Sequence, residues 1–166
     1  MKTLRGTSLA SCALLAFVSL LIADSTASPQ LEKMKSLAGD WEGKADNGKA
    51  MKANYKVVSG GSAVAETLSP SGEPEMLTVY HLDGGRLVMT HYCSMGNQPR
   101  MQADASAGNA QSLSFHFVSG TNMASKDAPH MHDMKITFND ADHITEEWSM
   151  KGGPMEKVAF QLQRIK

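Results

Sequence analysis

The sequence predicts an all-β protein: about ten antiparallel strands in an up-and-down, lipocalin-like barrel, preceded by one short N-terminal helix. Three observations predict it. Turn pairs rich in Gly and Asn recur at intervals of roughly 10–14 residues. Between them, apolar and polar residues alternate as they do on half-buried strands. No segment beyond Gly39 sustains a helical period, and the chain carries 14 Gly and 6 Pro.

The first 27 residues are set apart from the rest. Lys2 and Arg5 form a positive start, Leu9 to Ala23 is an apolar run, and Ser25-Thr26-Ala27 supplies the small residues of a cleavage site. This is the pattern of a secretory signal peptide, and the run falls short of the roughly 20 residues that span a bilayer. The expected organisation is a signal peptide over 1–27 and one barrel domain over 28–166, exported to the periplasm or the medium without a stable membrane anchor. Cleavage also removes Cys12 and leaves Cys93 without an internal partner, so a packed core must supply the stability.

Pro29 to Leu37 is the short helix: Leu31, Met34 and Leu37 fall on one stripe, and Gly39 stops it. The strands are expected at 40–46, 49–58, 62–68, 75–82, 85–93, 99–106, 110–118, 130–139, 142–150 and 155–164. Asn47-Gly48, Gly60-Gly61, Asp83-Gly84-Gly85, Gly108-Asn109, Asn139-Asp140 and Gly152-Gly153 punctuate them, giving the positive φ that tight hairpins require. Closing such a meander on itself removes its edges. The longest irregular stretch is Ser119 to Pro129.

Alternation assigns the faces. Leu113, Phe115 and Phe117 point inward, as do Met134, Ile136 and Phe138, with His130 and His132 on the same parity. Leu87 and Met89 share a face with His91 and Cys93, and Val158, Phe160 and Leu162 form a third set. Trp41 and Trp148 take the apolar parities of their strands. The expected lumen is therefore aromatic, and the 12 methionines of the chain help to fill it.

Composition narrows function. A net charge of −1 and no basic aromatic strip exclude a nucleic-acid surface. No nucleophile elbow, metalloprotease helix, phosphate loop or dinucleotide fingerprint is present, so no catalytic residue is assigned.

The segment Leu37-Ala38-Gly39-Asp40-Trp41-Glu42-Gly43 resembles the L-x-G-x-W-x-G opening of lipocalin-like (calycin) barrels, particularly the nitrobindin-like group. That resemblance implies that Trp41 closes one end of the barrel. Thr90-His91-Tyr92-Cys93, Gly96-Asn97-Gln98-Pro99-Arg100-Met101, His130-Met131-His132 and Asp142-His143-Ile144-Thr145-Glu146-Glu147-Trp148 resemble small exported bacterial lipocalin-like proteins without an assigned activity. Nitrobindin-like members bind haem through a histidine late in the barrel, which here implies His130, His132 or His143.

The His130-x-His132 pair is the sharpest local feature. On a strand, two imidazoles at i and i+2 project to one face and can converge on one ion, with His91 as the third ligand. Zinc would suit three nitrogens, whereas Cys93, Met89, Met131 and Met134 would favour cuprous copper. Cys93 is either a reactive thiol beside His91 or a buried structural residue. Arg100 could pair with a ligand carboxylate, with Glu66 or with Glu147, or be structural. Glu146 shares parity with Trp148 and, if inside, needs a partner.

The expected function is to hold a small, mainly apolar ligand in the lumen. Trp41, Tyr55, Phe115, Phe117, Trp148 and Phe160 would line it, with His91, Arg100, His130 and His132 orienting the ligand. The alternative is a metal or haem protein using His130 and His132, with redox or hydrolytic activity.

Overall fold

The computed structural model describes residues 28–105, 111–153 and 156–166. The expected signal peptide and the Gly108-Asn109 turn lie outside the described residues. One helix, α1 (Pro29–Lys35), precedes ten strands: β1 (Gly39–Ala45), β2 (Ala50–Val58), β3 (Ala63–Pro70), β4 (Met76–Asp83), β5 (Arg86–Tyr92), β6 (Gln98–Ala103), β7 (Ser112–Thr121), β8 (His130–Phe138), β9 (His143–Lys151) and β10 (Lys157–Arg164). Each strand pairs with its sequence neighbour, and β1 pairs with β10 to close the barrel. All pairings are antiparallel.

The closure explains the two glycines around Trp41. Gly39 enters β1 at φ 131°, a conformation that side chains resist. Gly43 lies opposite Leu162 of β10, where a Cβ would overlap the Gln161 carbonyl and stand 3.0 Å from Leu162 Cα. The close approach of β1 to β10 therefore requires a residue without a side chain.

One end of the barrel is capped. A seven-residue helix is too short to stand alone, so its apolar stripe must hold it. Leu31, Met34 and Leu37 are all buried in the core cluster, each worth about 1.5–3 kcal/mol of apolar burial. Trp41 is fully buried, donates from Nε1 to Leu37 O at 2.8 Å, and carries the Arg164 guanidinium 4.3 Å from its ring. Arg164 then donates to Ala38 O at 2.7 Å and Ser36 O at 2.8 Å, tying the last strand to the turn after α1.

The interior is filled by side chains that meet across it. Trp41 and Tyr55 stand edge to face at 6.3 Å, Tyr80 and Phe115 at 5.7 Å, and the His91 ring lies 4.7 Å from Trp148. Trp41, Tyr55, Phe115, Trp148 and Phe160 are all buried members of one core.

Strict alternation fails on β8. The register shifts between Met131 and Asp133, making His132 the extra residue of a β-bulge. His130 and Met131 are both buried and His132 is only partly so, which corrects the expectation that His130 and His132 share one equivalent inward position. A second shift, where Arg100 faces Ser119 but Met101 faces Phe117, leaves Val118 unpaired and exposed. Phe117, expected inside, is partly exposed.

Candidate functional site

Two groups of buried polar side chains occupy the barrel, and they differ in how completely they are partnered. The first lies in mid-barrel. Glu66 of β3 and Glu146 of β9 are fully buried, and the Tyr55 hydroxyl reaches both. Tyr80 donates to Glu66 Oε2 at 2.6 Å, Tyr55 donates to Glu146 Oε1, and Trp148 Nε1 donates to Glu146 Oε2 at 3.1 Å. Loss of solvent and mutual repulsion hold the Glu66 carboxyl well above the usual range, and burial raises Glu146 as well. Two carboxyls so placed share a proton between them, with Tyr80 and Tyr55 donating to Glu66 and Tyr55 and Trp148 to Glu146. Burial also raises both tyrosines, so they stay protonated donors. Every polar group of this network has a partner, and none reaches solvent.

The second group lies at the end opposite α1. His91 is the penultimate residue of β5, Asn97 lies in the β5–β6 turn, and His130 opens β8. All three are buried, with exposures of 1%, 5% and 1%. His91 Nδ1 meets the hydroxyl of Thr78, its cross-strand partner, at 3.0 Å. Burial pulls the His91 pKa down to about 4, so its ring is neutral. Asn97 Nδ2 donates to Pro129 O at 2.8 Å, and His130 Nδ1 donates to Ala128 O at 2.7 Å. The remaining atoms, His91 Nε2, Asn97 Oδ1 and His130 Nε2, have no hydrogen-bond partner. Because a carbonyl only accepts, Nδ1 of His130 carries a proton, and that tautomer presents a lone pair at Nε2. Phe117 covers that ring at 4.3 Å.

The other expected site residues fall elsewhere. Arg100 pairs with Asp83, not with Glu66, Glu147 or the lumen. His132 is half-buried, with Nδ1 3.1 Å from Asp133 Oδ2. His143 is exposed and bound to Asp140, so it does not face the interior. Cys93 is a buried free thiol, and His91 does not hydrogen-bond to it: one ring nitrogen is taken by Thr78 and the other is unpartnered. His91, His130 and His132 do not assemble as a triad. Among the described residues no three His, Cys, Asp or Glu side chains come together to hold a metal ion.

Sequence reasoning named Glu66 only as a partner for Arg100 and missed Tyr80, Thr78 and Asn97. The strand residues carried a signal: Glu66 has the inward parity of Val64 and Leu68, and Thr78 and Tyr80 that of Met76. Asn97 carried none, because it lies in a turn.

No protein-family model matches the chain, and no curated protein matches it. Among solved structures, the crystal structure of Rv2717c from M. tuberculosis is similar. It has a TM-score of 0.57 at 14% identity, over 83% of this chain and 98% of that chain. The likeness extends to the barrel as a fold.

Proposed function

We propose that the protein is an exported binding protein that holds a small, mainly apolar ligand at the barrel end opposite α1. One observation carries the reading: the described buried side-chain atoms without partners are His91 Nε2, Asn97 Oδ1 and His130 Nε2, and all three belong to that end. A buried polar atom without a partner costs about 1–3 kcal/mol, so a site that retains three is arranged for a partner that comes from outside. Asn97 Oδ1 and His130 Nε2 are acceptors, which selects a ligand carrying an N–H or O–H group. Phe117 supplies apolar wall beside His130. The ligand lodges at the rim and not along the whole lumen, because Trp41, Tyr55, Phe115 and Trp148 pack on one another below it. Export rests on the signal-like residues 1–27.

A fluorescence titration with 1-aminoanthracene, a flat apolar probe with amine donors, tests this. One saturable site is expected in the wild type, weakened at least tenfold in His130→Ala and in Asn97→Ala. Unchanged binding in both variants would contradict the reading.

A haem reading draws on the same Nε2. Haem also needs an apolar slot beside that nitrogen, and Phe117 lies against the His130 ring while His91 and Trp148 fill the lumen below. The residues as arranged do not fit haem.

A further inference from the structure

The rim holds a second feature, built on the bulge that His132 creates. The His130 and His132 rings lie 5.5 Å apart, centroid to centroid, and both pack against Phe117, at 4.3 and 5.6 Å. With metal–nitrogen bonds of about 2.0 Å, two imidazoles on one ion place their centroids roughly 5–6 Å apart. The centroid separation is within the range that two ligands of one ion adopt. Each ring is also oriented as a ligating histidine is: Nδ1 of His130 faces the Ala128 carbonyl and Nδ1 of His132 faces the Asp133 carboxylate, leaving both Nε2 atoms as lone pairs. Asp133 is itself fixed by Ser149, at 2.9 Å, and by His116, at 2.8 Å, so it positions the ring instead of ligating.

A soft donor stands at the edge of the same Phe117 ring. A Cβ on Gly120 would overlap Met123 Sδ and stand 3.4 Å from Phe117 Cε2, so the Met123 thioether rests on Gly120 beside the ring that carries both histidines. Among the described residues no third His, Cys, Asp or Glu joins the pair, which leaves zinc without its usual ligand set. Two imidazoles and one thioether suit a soft monovalent ion of low coordination number.

We propose that His130, His132 and Met123 form a site for a soft monovalent metal ion of the cuprous class. This rests on the reading of the rim as a binding end and names one ligand for it. Binding involves no redox step: two neutral nitrogens and a thioether share lone pairs with the ion, and no proton leaves.

The test is an anaerobic titration of the full chain with Cu(I) against a chromophoric Cu(I) chelator, repeated with Ag(I). Cys12 and Cys93 are replaced by Ser so that no thiol captures the ion. One equivalent is expected to bind. His130→Gln and His132→Gln should weaken it at least 100-fold, Met123→Leu about tenfold, and the positioning variant Asp133→Asn by 10–100-fold through ring orientation. Zn(II) should bind far more weakly. Met123→Leu keeps the apolar contact with Phe117 and both imidazoles, so its effect separates ligation from folding, and thermal melts confirm that each variant is folded. Absence of a one-equivalent complex, or equal affinity in the wild type and the histidine variants, would overturn the proposal. If 1-aminoanthracene still binds in a histidine-dependent way while Cu(I) and Ag(I) do not, the metal site fails and the rim remains a binding site. If neither binds, both readings fail.

Discussion

The middle of the barrel and its open rim bury the same kinds of group to opposite effect. In the middle, two glutamates, two tyrosines and a tryptophan satisfy one another, and nothing is left for a visitor. At the rim, two histidines and an asparagine are equally buried but each leaves one atom without a partner. Trp148 joins the two regions, giving its N–H to Glu146 and packing its ring against His91. The difference separates what the fold needs from what it leaves unused: a closed network rigidifies a core, whereas an incomplete one keeps atoms without partners.

Breaking the closed network should produce the largest effect. Glu146→Ala strands the Trp148 N–H, leaves Tyr55 only its longer hydrogen bond to Glu66 and opens a cavity in the core, and a loss of about 3–5 kcal/mol is expected by chemical denaturation. A loss below 1 kcal/mol would mean that the middle is no more structural than the rim.

The two regions should also respond to pH with opposite sign. Glu66 has a folded pKa raised above its unfolded value. Its contribution is therefore full below the ordinary glutamate pKa and falls by about 1.4 kcal/mol per pH unit above it. His91 is lowered from 6.5 to about 4, so its contribution is full above 6.5 and lost as pH falls to 4, by about 3 kcal/mol in all. Between the ordinary glutamate pKa and 6.5 the two slopes offset each other. Glu66→Gln should therefore expose an acid-side loss, and His91→Leu an alkaline-side loss, in stability measured from pH 4 to 8. Identical curves for the two variants would show that the opposition does not exist.

Thr78→Val removes the hydroxyl from His91 Nδ1 and leaves both nitrogens of that ring unpartnered. A loss of about 1–2 kcal/mol is expected, smaller than in the closed network. His130→Phe should have the smallest effect, under about 1 kcal/mol, because one of its nitrogens already lacks a partner. The same variant should abolish saturable 1-aminoanthracene binding. A residue as buried as His130 that affects binding and hardly affects stability would sharpen the contrast between the two regions.

Much of the fold was legible in the sequence, and the reasons are local. Turn pairs such as Asn47-Gly48 and Gly152-Gly153 mark real reversals, with Gly48 and Gly152 at φ 81° and 72°. Alternation identified the inward sets on β5 and β10 and the inward Leu113 and Phe115 of β7, though not the exposure of Phe117, and the Trp41 motif identified the capped end. The site was less legible. His130 and His132 were found, but alternation gave them equal positions, and only the bulge determines that one is buried and the other half-open. His91 was found inside, yet its separation from a metal triad is a matter of three dimensions. Asn97 and Met123 lie in connections between strands, where no period assigns a face. Arg100 followed a polar turn into the candidate list, and its partner, Asp83, lies in a hairpin that spacing does not connect to it.

The most direct test of the rim as a binding end is long-range proton–nitrogen NMR correlation of the imidazoles, recorded with and without 1-aminoanthracene. His130 should carry its proton on Nδ1 and show an unprotonated Nε2 whose resonance moves on binding, while the exposed His143 is unchanged. A proton on His130 Nε2, with no movement on addition of the probe, would contradict the account.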